Sequence, residues 1–164
     1  MHENVGMRFF FLTCLLVMIG GCAAPAGKFL THTVVLNVLD KALYDDCHIP
    51  GSVHVPFTDV ENYVRGMDKN QEIIVYCSNY ACTTSHYVAE KLYRSGFANV
   101  LVYEGGIAEW WQHGLPTEGL GLQSYLTKHV EPAEEQMGSG STIKTITMDE
   151  LARKLHVTAP DHVE

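Results

Sequence analysis

The alternation of short apolar runs with helical patterns predicts an α/β fold, a three-layer α/β/α arrangement around a five-stranded parallel sheet. Three observations carry that expectation. Residues 34–39 (VVLNVL), 72–77 (EIIVYC) and 99–103 (NVLVY) are short β-branched runs of the kind buried on both faces of a sheet. Residues 83–95 read as an amphipathic helix, with Thr84, Val88 and Leu92 at i, i+4 and i+8 and with Glu90, Lys91 and Arg94 on the opposite side. Glycines at 51, 96, 105 and 106 stop the periodic segments.

Taken in order, the run at 34–39 has Asn37 as its only polar member, and residues 40–46 suit a short helix. His48-Ile49-Pro50-Gly51 is a turn signal leading into a short strand at 52–56, and residues 60–67 suit a second helix. The clearest strand, 72–77, is followed by the clearest helix, which Gly96 ends. After the strand at 99–103, Gly105-Gly106 breaks the pattern and residues 107–113 are helical. Residues 119–142 are polar and end in Gly-Ser-Gly-Ser, so they read as a linker. Residues 143–164 begin with a strand-then-helix pattern (IKTITMDELARKLH).

The chain has 164 residues, five cysteines and a net charge of −8. One domain plus a tail fits that length. The hydrophobic fraction of 46% against 18% charged residues excludes a mostly disordered chain. The acidic balance argues against a nucleic-acid partner. Five cysteines are too few for a disulfide scaffold, and the odd number leaves at least one thiol outside any intramolecular bridge.

Residues 9–19 form an apolar run behind Arg8, too short to span a bilayer, and read as the core of a signal peptide. The run ends in Ile19-Gly20-Gly21-Cys22, which resembles a bacterial lipobox. That resemblance implies removal of residues 1–21, including Cys14, and lipidation of Cys22, with residues 22–33 as a tether. The protein is then expected to be exported and membrane-anchored, facing the periplasm or the cell surface. The competing reading is a buried N-terminal helix with a chance cysteine.

Chemistry concentrates after the strand at 72–77. Cys77 ends it, Thr83 opens the next helix, and Ser78, Asn79, Tyr80, Ala81 and Cys82 lie between. In a parallel sheet such a loop sits at the C-terminal edge, where ligands bind. Backbone N–H groups and the following helix N-terminus favour a thiolate or a persulfide anion on Cys77. From the residues alone, Cys77 reads equally as a reactive thiol and as a buried structural cysteine. The nine histidines show no partner spacing for a metal, and no cofactor is implied. Tyr80 is placed to shape the pocket mouth, and Glu104 and Gly105 to line it.

Residues 34–118 resemble a rhodanese-like domain. The resemblance rests on HIPGS at 48–52, on VYC opening a six-residue loop at 77–82, and on YEGGIAEWWQHGLP at 103–116. It implies a sulfurtransferase in which Cys77 takes a sulfane sulfur from a persulfide, polysulfide or thiosulfate and passes it to a thiol or other thiophilic acceptor. Three departures stand out. Cys82 occupies the sixth loop position, where an Arg is common in the family. Residues 77–84 contain no Lys or Arg. Asn37-Val38-Leu39 stands where Asp-Val-Arg is common. Two cations able to hold a dianionic donor are missing, at about 1.5–3 kcal/mol for each charge-assisted bond. Weak use of thiosulfate is therefore expected, unless a cation reaches in from elsewhere. Phosphatase chemistry is disfavoured too, because Thr83 occupies the position where a phosphate-clamping Arg would be needed.

Cys82 suggests a resolving thiol, able to close a Cys77–Cys82 disulfide on a persulfide or sulfenic acid. Alternatively it is a small apolar plug. Cys47 is expected at the opposite sheet edge, roughly 15–20 Å away, with no part in catalysis. His48 is expected to be structural, and of Trp110 and Trp111 one is expected in the core. The family's opening strand and helix are missing before residue 34, while residues 146–155 (ITMDELARKL) carry the matching pattern. Residues 143–156 are therefore expected to complete the sheet edge, with swapping onto a second copy or a partial second domain as the alternatives. Three functions follow: a persulfide-carrying sulfurtransferase, a thiol–disulfide or peroxide-responsive protein using Cys77 and Cys82, or a non-catalytic binding module.

Overall fold

The computed structural model describes residues 33–132 and 143–158. The signal-peptide and lipobox readings, including Cys14 and Cys22, fall outside the described residues, as does the Gly-Ser end of the expected linker.

Five strands form one parallel sheet, in agreement with the fold class read from the sequence. They are β1 (Val34–Asn37), β2 (Val53–His54), β3 (Glu72–Tyr76), β4 (Asn99–Tyr103) and β5 (Lys144–Thr145), in the spatial order β2-β1-β3-β4-β5. The helices are α1 (Lys41–Asp46), α2 (Val60–Tyr63), α3 (Thr84–Arg94), α4 (Gly106–Gln112) and α5 (Met148–Leu155). Ile73, Ile74, Val75 and Tyr76 are consecutive and completely buried, so both faces of the central strand are covered. The inward face of α3 is Ser85, Val88, Ala89 and Leu92.

Register aligns the active edge. Asn37 pairs with Tyr76, and Tyr76 with Tyr103, so β1, β3 and β4 end at one level. The first strand stops at Asn37, earlier than the apolar run suggests. The Asn37 carboxamide oxygen accepts the Leu39 N–H at 2.9 Å and turns the chain out of the sheet. Below, Tyr76 ties the sheet to the turn at 48–52. Its hydroxyl accepts the Ile49 N–H at 3.1 Å and lies 2.9 Å from Ser52 Oγ. Burial, against the pull of Ser52 and Asn37, pushes that hydroxyl up to about 12.

β5 extends the sheet beside β4, pairing Lys144 with Leu101 and Thr145 with Val102. α5 follows behind a capping box between Thr147 and Glu150. Ile146 and Leu151 are buried, and Lys154 bonds Glu72 of β3 at 2.9 Å.

Two expectations are corrected. The second helix spans only Val60–Tyr63, and Gly66 at φ +85° turns the chain soon after. The first part of the expected linker is not a free connection. Ser124–Thr127 form a 3-10 helix whose Leu126 is completely buried, and Gln112 of α4 donates to the Leu126 carbonyl at 2.7 Å. The Asp46 carboxylate accepts the N–H groups of Leu122 and Gln123. Gly119, at φ +105°, lies so close to the Asp46 carbonyl that a Cβ would stand 2.2 Å from it. These contacts join residues far apart in sequence, so no local pattern announces them.

Candidate active site

Cys77 leaves the end of β3 with its side chain buried, 1% exposed. Residues 78–83 form the connection to α3, and its shape is imposed from the neighbouring helix. The first N–H groups of α4 grip it: Ile107 donates to the Cys77 carbonyl at 3.0 Å and Ala108 to the Ser78 carbonyl at 2.9 Å. This approach requires Gly106. At φ +62°, a Cβ there would lie 2.6 Å from the Cys77 carbonyl oxygen. Within the loop, Asn79 accepts the Ala81 N–H through its side chain and the Cys82 N–H through its carbonyl.

The two loop thiols meet. Cys77 Sγ donates to the Cys82 carbonyl oxygen at 3.3 Å and lies 3.5 Å from Ser85 Oγ. The Cys82 thiol lies beside it and interacts with it electrostatically. Both are free thiols. Cys82 is half-buried, and the N–H and hydroxyl of Thr84 and the N–H of Ser78 favour its thiolate.

This arrangement reverses one expectation. The loop was expected to stabilise a thiolate on Cys77. Instead the interaction with Cys82 and then burial push the Cys77 thiol well above the ordinary range. The same interaction with Cys77, helped by the Thr84 and Ser78 donors, draws Cys82 down to about 5 despite its burial. The two thiols titrate as a coupled pair, with Cys82 the more acidic member.

Tyr80 turns to the other side, where its hydroxyl donates to Glu109 Oε1 at 2.8 Å. Burial and then Glu109 raise the Tyr80 phenol. Together with Asn79, Gly105, Glu109, His113, Lys128 and His129, it lines a cavity of about 250 Å3. Lys128 is thus a cation delivered near the loop by the segment after Pro116. Glu104 pairs with His86 at 2.7 Å. Ala81 and Thr83 are exposed, and Thr83 makes no side-chain cap bond to α3.

The remaining candidates lie elsewhere. Cys47 is buried at the end of α1 and bonded to Thr117, and burial raises its thiol. His48 stacks on Tyr44 with ring centroids 3.9 Å apart, and its ring nitrogens meet the Tyr44 carbonyl and Glu118. Trp110 is completely buried and donates to the Pro116 carbonyl, while Trp111 is partly exposed. Sequence reasoning missed Ser85, Thr84 and Gly106 as parts of the site. A serine in the buried stripe of α3 was the available signal for the first, and Gly106 was read only as part of a strand stop.

The chain is similar to known proteins. The rhodanese-like domain family model matches residues 26–113. Thiosulfate sulfurtransferase GlpE of Coxiella burnetii is 31% identical over 80 residues, which is 49% of this chain and 73% of that protein. The putative sulfur carrier protein YrkF of Bacillus subtilis is 30% identical over 76 residues, 46% of this chain and 40% of that one. Among solved structures, the BH2092 protein of Bacillus halodurans superposes with a TM-score of 0.51 at 31% identity, covering 55% of this chain and 66% of that one. With its five-stranded parallel sheet and the cysteine loop at the sheet's C-terminal edge, this chain belongs to the rhodanese-like family.

Proposed function

We propose that the protein is a sulfurtransferase that carries a sulfane sulfur as a persulfide on Cys77 and passes it to a thiol acceptor. The observation that carries this reading is the placement of Cys77 at the C-terminal end of β3, with the Cys82 carbonyl oxygen 3.3 Å and Ser85 Oγ 3.5 Å from its sulfur. Cys77 Sγ–H already points at the Cys82 residue, and the half-exposed Cys82 thiolate is the adjacent base. On arrival of a persulfide donor R–S–SH, the Cys77 proton passes to Cys82. The Cys77 thiolate attacks the outer sulfur, the donor S–S bond breaks, and the leaving R–S⁻ takes the proton from Cys82 as R–SH. Cys77 then holds –S–SH and Cys82 is again a thiolate. An acceptor thiolate attacks the outer sulfur in turn and leaves Cys77 as a thiolate, which recovers its proton from solvent. Cys82 thereby does by proton delivery what a cation would do by charge.

Thiosulfate, the substrate named for the GlpE relatives, fits less well. Its leaving group is sulfite, which needs charge neutralisation more than a proton, and Leu39 and Cys82 supply none. Export and lipid anchoring at Cys22 remain part of the proposal on the strength of the apolar run and Gly20-Gly21-Cys22. Replacement of Cys22 by Ser is expected to abolish lipid labelling in cells, and unchanged labelling would refute the anchor.

The test of the transfer reading is incubation with polysulfide, thiosulfate and glutathione persulfide, followed by peptide mass analysis. One added sulfur atom on Cys77 is expected, and none from any donor would refute it. The thiol contact also favours a second reading, a redox switch. In it a peroxide oxidises Cys82 to a sulfenic acid, and Cys77 displaces water to give a Cys77–Cys82 disulfide. A linked 77–82 peptide after mild peroxide treatment is its signature, and its absence rules that reading out.

A further inference from the structure

On the far side of the loop from Tyr80 lies a groove of about 460 Å3, in the size range of small-molecule sites. Leu39, Leu43, Phe57 and Tyr87 supply its apolar surface, with Asp40 and Thr84 among the remaining lining residues. It opens at the C-terminal edge of the sheet, since Leu39 lies two residues past the end of β1. Thr83 and Thr84, which line it, directly follow Cys82 in the chain and join the groove to the reactive pair.

We propose, resting on the persulfide reading above, that this groove binds the carbon skeleton of the sulfur donor, and that the donor is an alkyl or aryl persulfide whose carbon skeleton carries no charge. The lining carries the argument. Among the described residues of the groove there is no Lys or Arg, and its ionised side chain is the acid Asp40. The nearby Lys91 ammonium lies 5.9 Å from the Phe57 ring and is paired with Glu61 at 3.3 Å. A dianion, or a persulfide carrying carboxylates, would therefore meet Asp40 without compensation. Two aromatic rings instead stand open to solvent: Phe57 is 39% and Tyr87 56% exposed, with centroids 5.2 Å apart at 54°. Such an exposed aromatic pair beside a reactive loop gains by covering an apolar group. The residue that removes the usual cation, Leu39, is part of the same apolar wall.

The test compares three donors on the full chain: benzyl persulfide, glutathione persulfide and inorganic polysulfide, the last as the reference for Cys77 loading. Benzyl persulfide is expected to load Cys77 about tenfold more efficiently than glutathione persulfide. In Phe57→Ser and Tyr87→Ser, both at exposed positions, the benzyl-to-polysulfide ratio is expected to fall about tenfold. Unreactive benzyl methyl sulfide should shift the NMR signals of Leu39, Phe57 and Tyr87. Equal use of the two organic donors, wild-type ratios in both variants, or shifts confined to other residues would overturn the groove while polysulfide loading left the persulfide reading standing. Failure of every donor, polysulfide included, would overturn both.

Discussion

The Sγ of Cys77 donates to the carbonyl oxygen of Cys82 at 3.3 Å, and the two thiols are coupled electrostatically. The half-buried Cys82 is the more acidic of the two and the buried Cys77 the less.

That coupling sets a pH dependence. Cys82 is drawn down to about 5 chiefly by the Cys77 thiol. With limiting iodoacetamide, alkylation of the native protein should rise through about pH 5 and level off well below the ordinary thiol range. Cys77→Ala removes the donor, so the Cys82 thiolate is less stabilised and the curve moves to higher pH. An unmoved curve would show that the Thr84 and Ser78 donors suffice.

Gly106 is the steric key of the loop. Gly106→Ala puts a methyl group 2.6 Å from the Cys77 carbonyl in a left-handed backbone. A loss of about 1–3 kcal/mol is expected in denaturant unfolding, with slower sulfur loading in the fraction that stays folded. Wild-type values for both would mean that α4 does not hold the loop in place.

The C-terminal segment should stabilise the sheet. Leu151 is completely buried, so Leu151→Ala is expected to cost about 2–5 kcal/mol in urea unfolding. A cost near zero would mean that α5 is not docked in solution.

Glu72 anchors the same segment through Lys154, and Thr33 bonds it as well. Burial opposes ionisation, but these two partners outweigh it and lower the carboxyl. A lowered carboxyl contributes stability above its unfolded value, about 4.3, and loses it as pH falls through the folded value. Glu72→Gln should cost no more than about 1 kcal/mol at neutral pH, since the pair is partly exposed. That difference should vanish in acid. A difference that persists unchanged at low pH would locate the effect in packing rather than charge.

Much of this was legible in the sequence, for identifiable reasons. The central strands are continuous apolar runs, and a cysteine closing such a run falls at the ligand-binding edge by topology alone. The ITMDEL pattern carries its own capping box, so α5 is visible locally. What stayed hidden is long-range. Leu126 is buried only because α4 and Asp46 fold the segment back, and neither contact has a local signature. The direction of the thiol shifts was hidden too. It depends on which sulfur faces the Thr84 and Ser78 donors, a matter of loop geometry rather than residue type.

The most direct test locates the sulfur. After polysulfide treatment, fragment-ion mass analysis of the peptide containing both cysteines should place one added sulfur atom on Cys77. The adduct should persist in Cys82→Ala, formed more slowly, and vanish in Cys77→Ala. An adduct on Cys82 that forms at the native rate in Cys77→Ala would contradict the account.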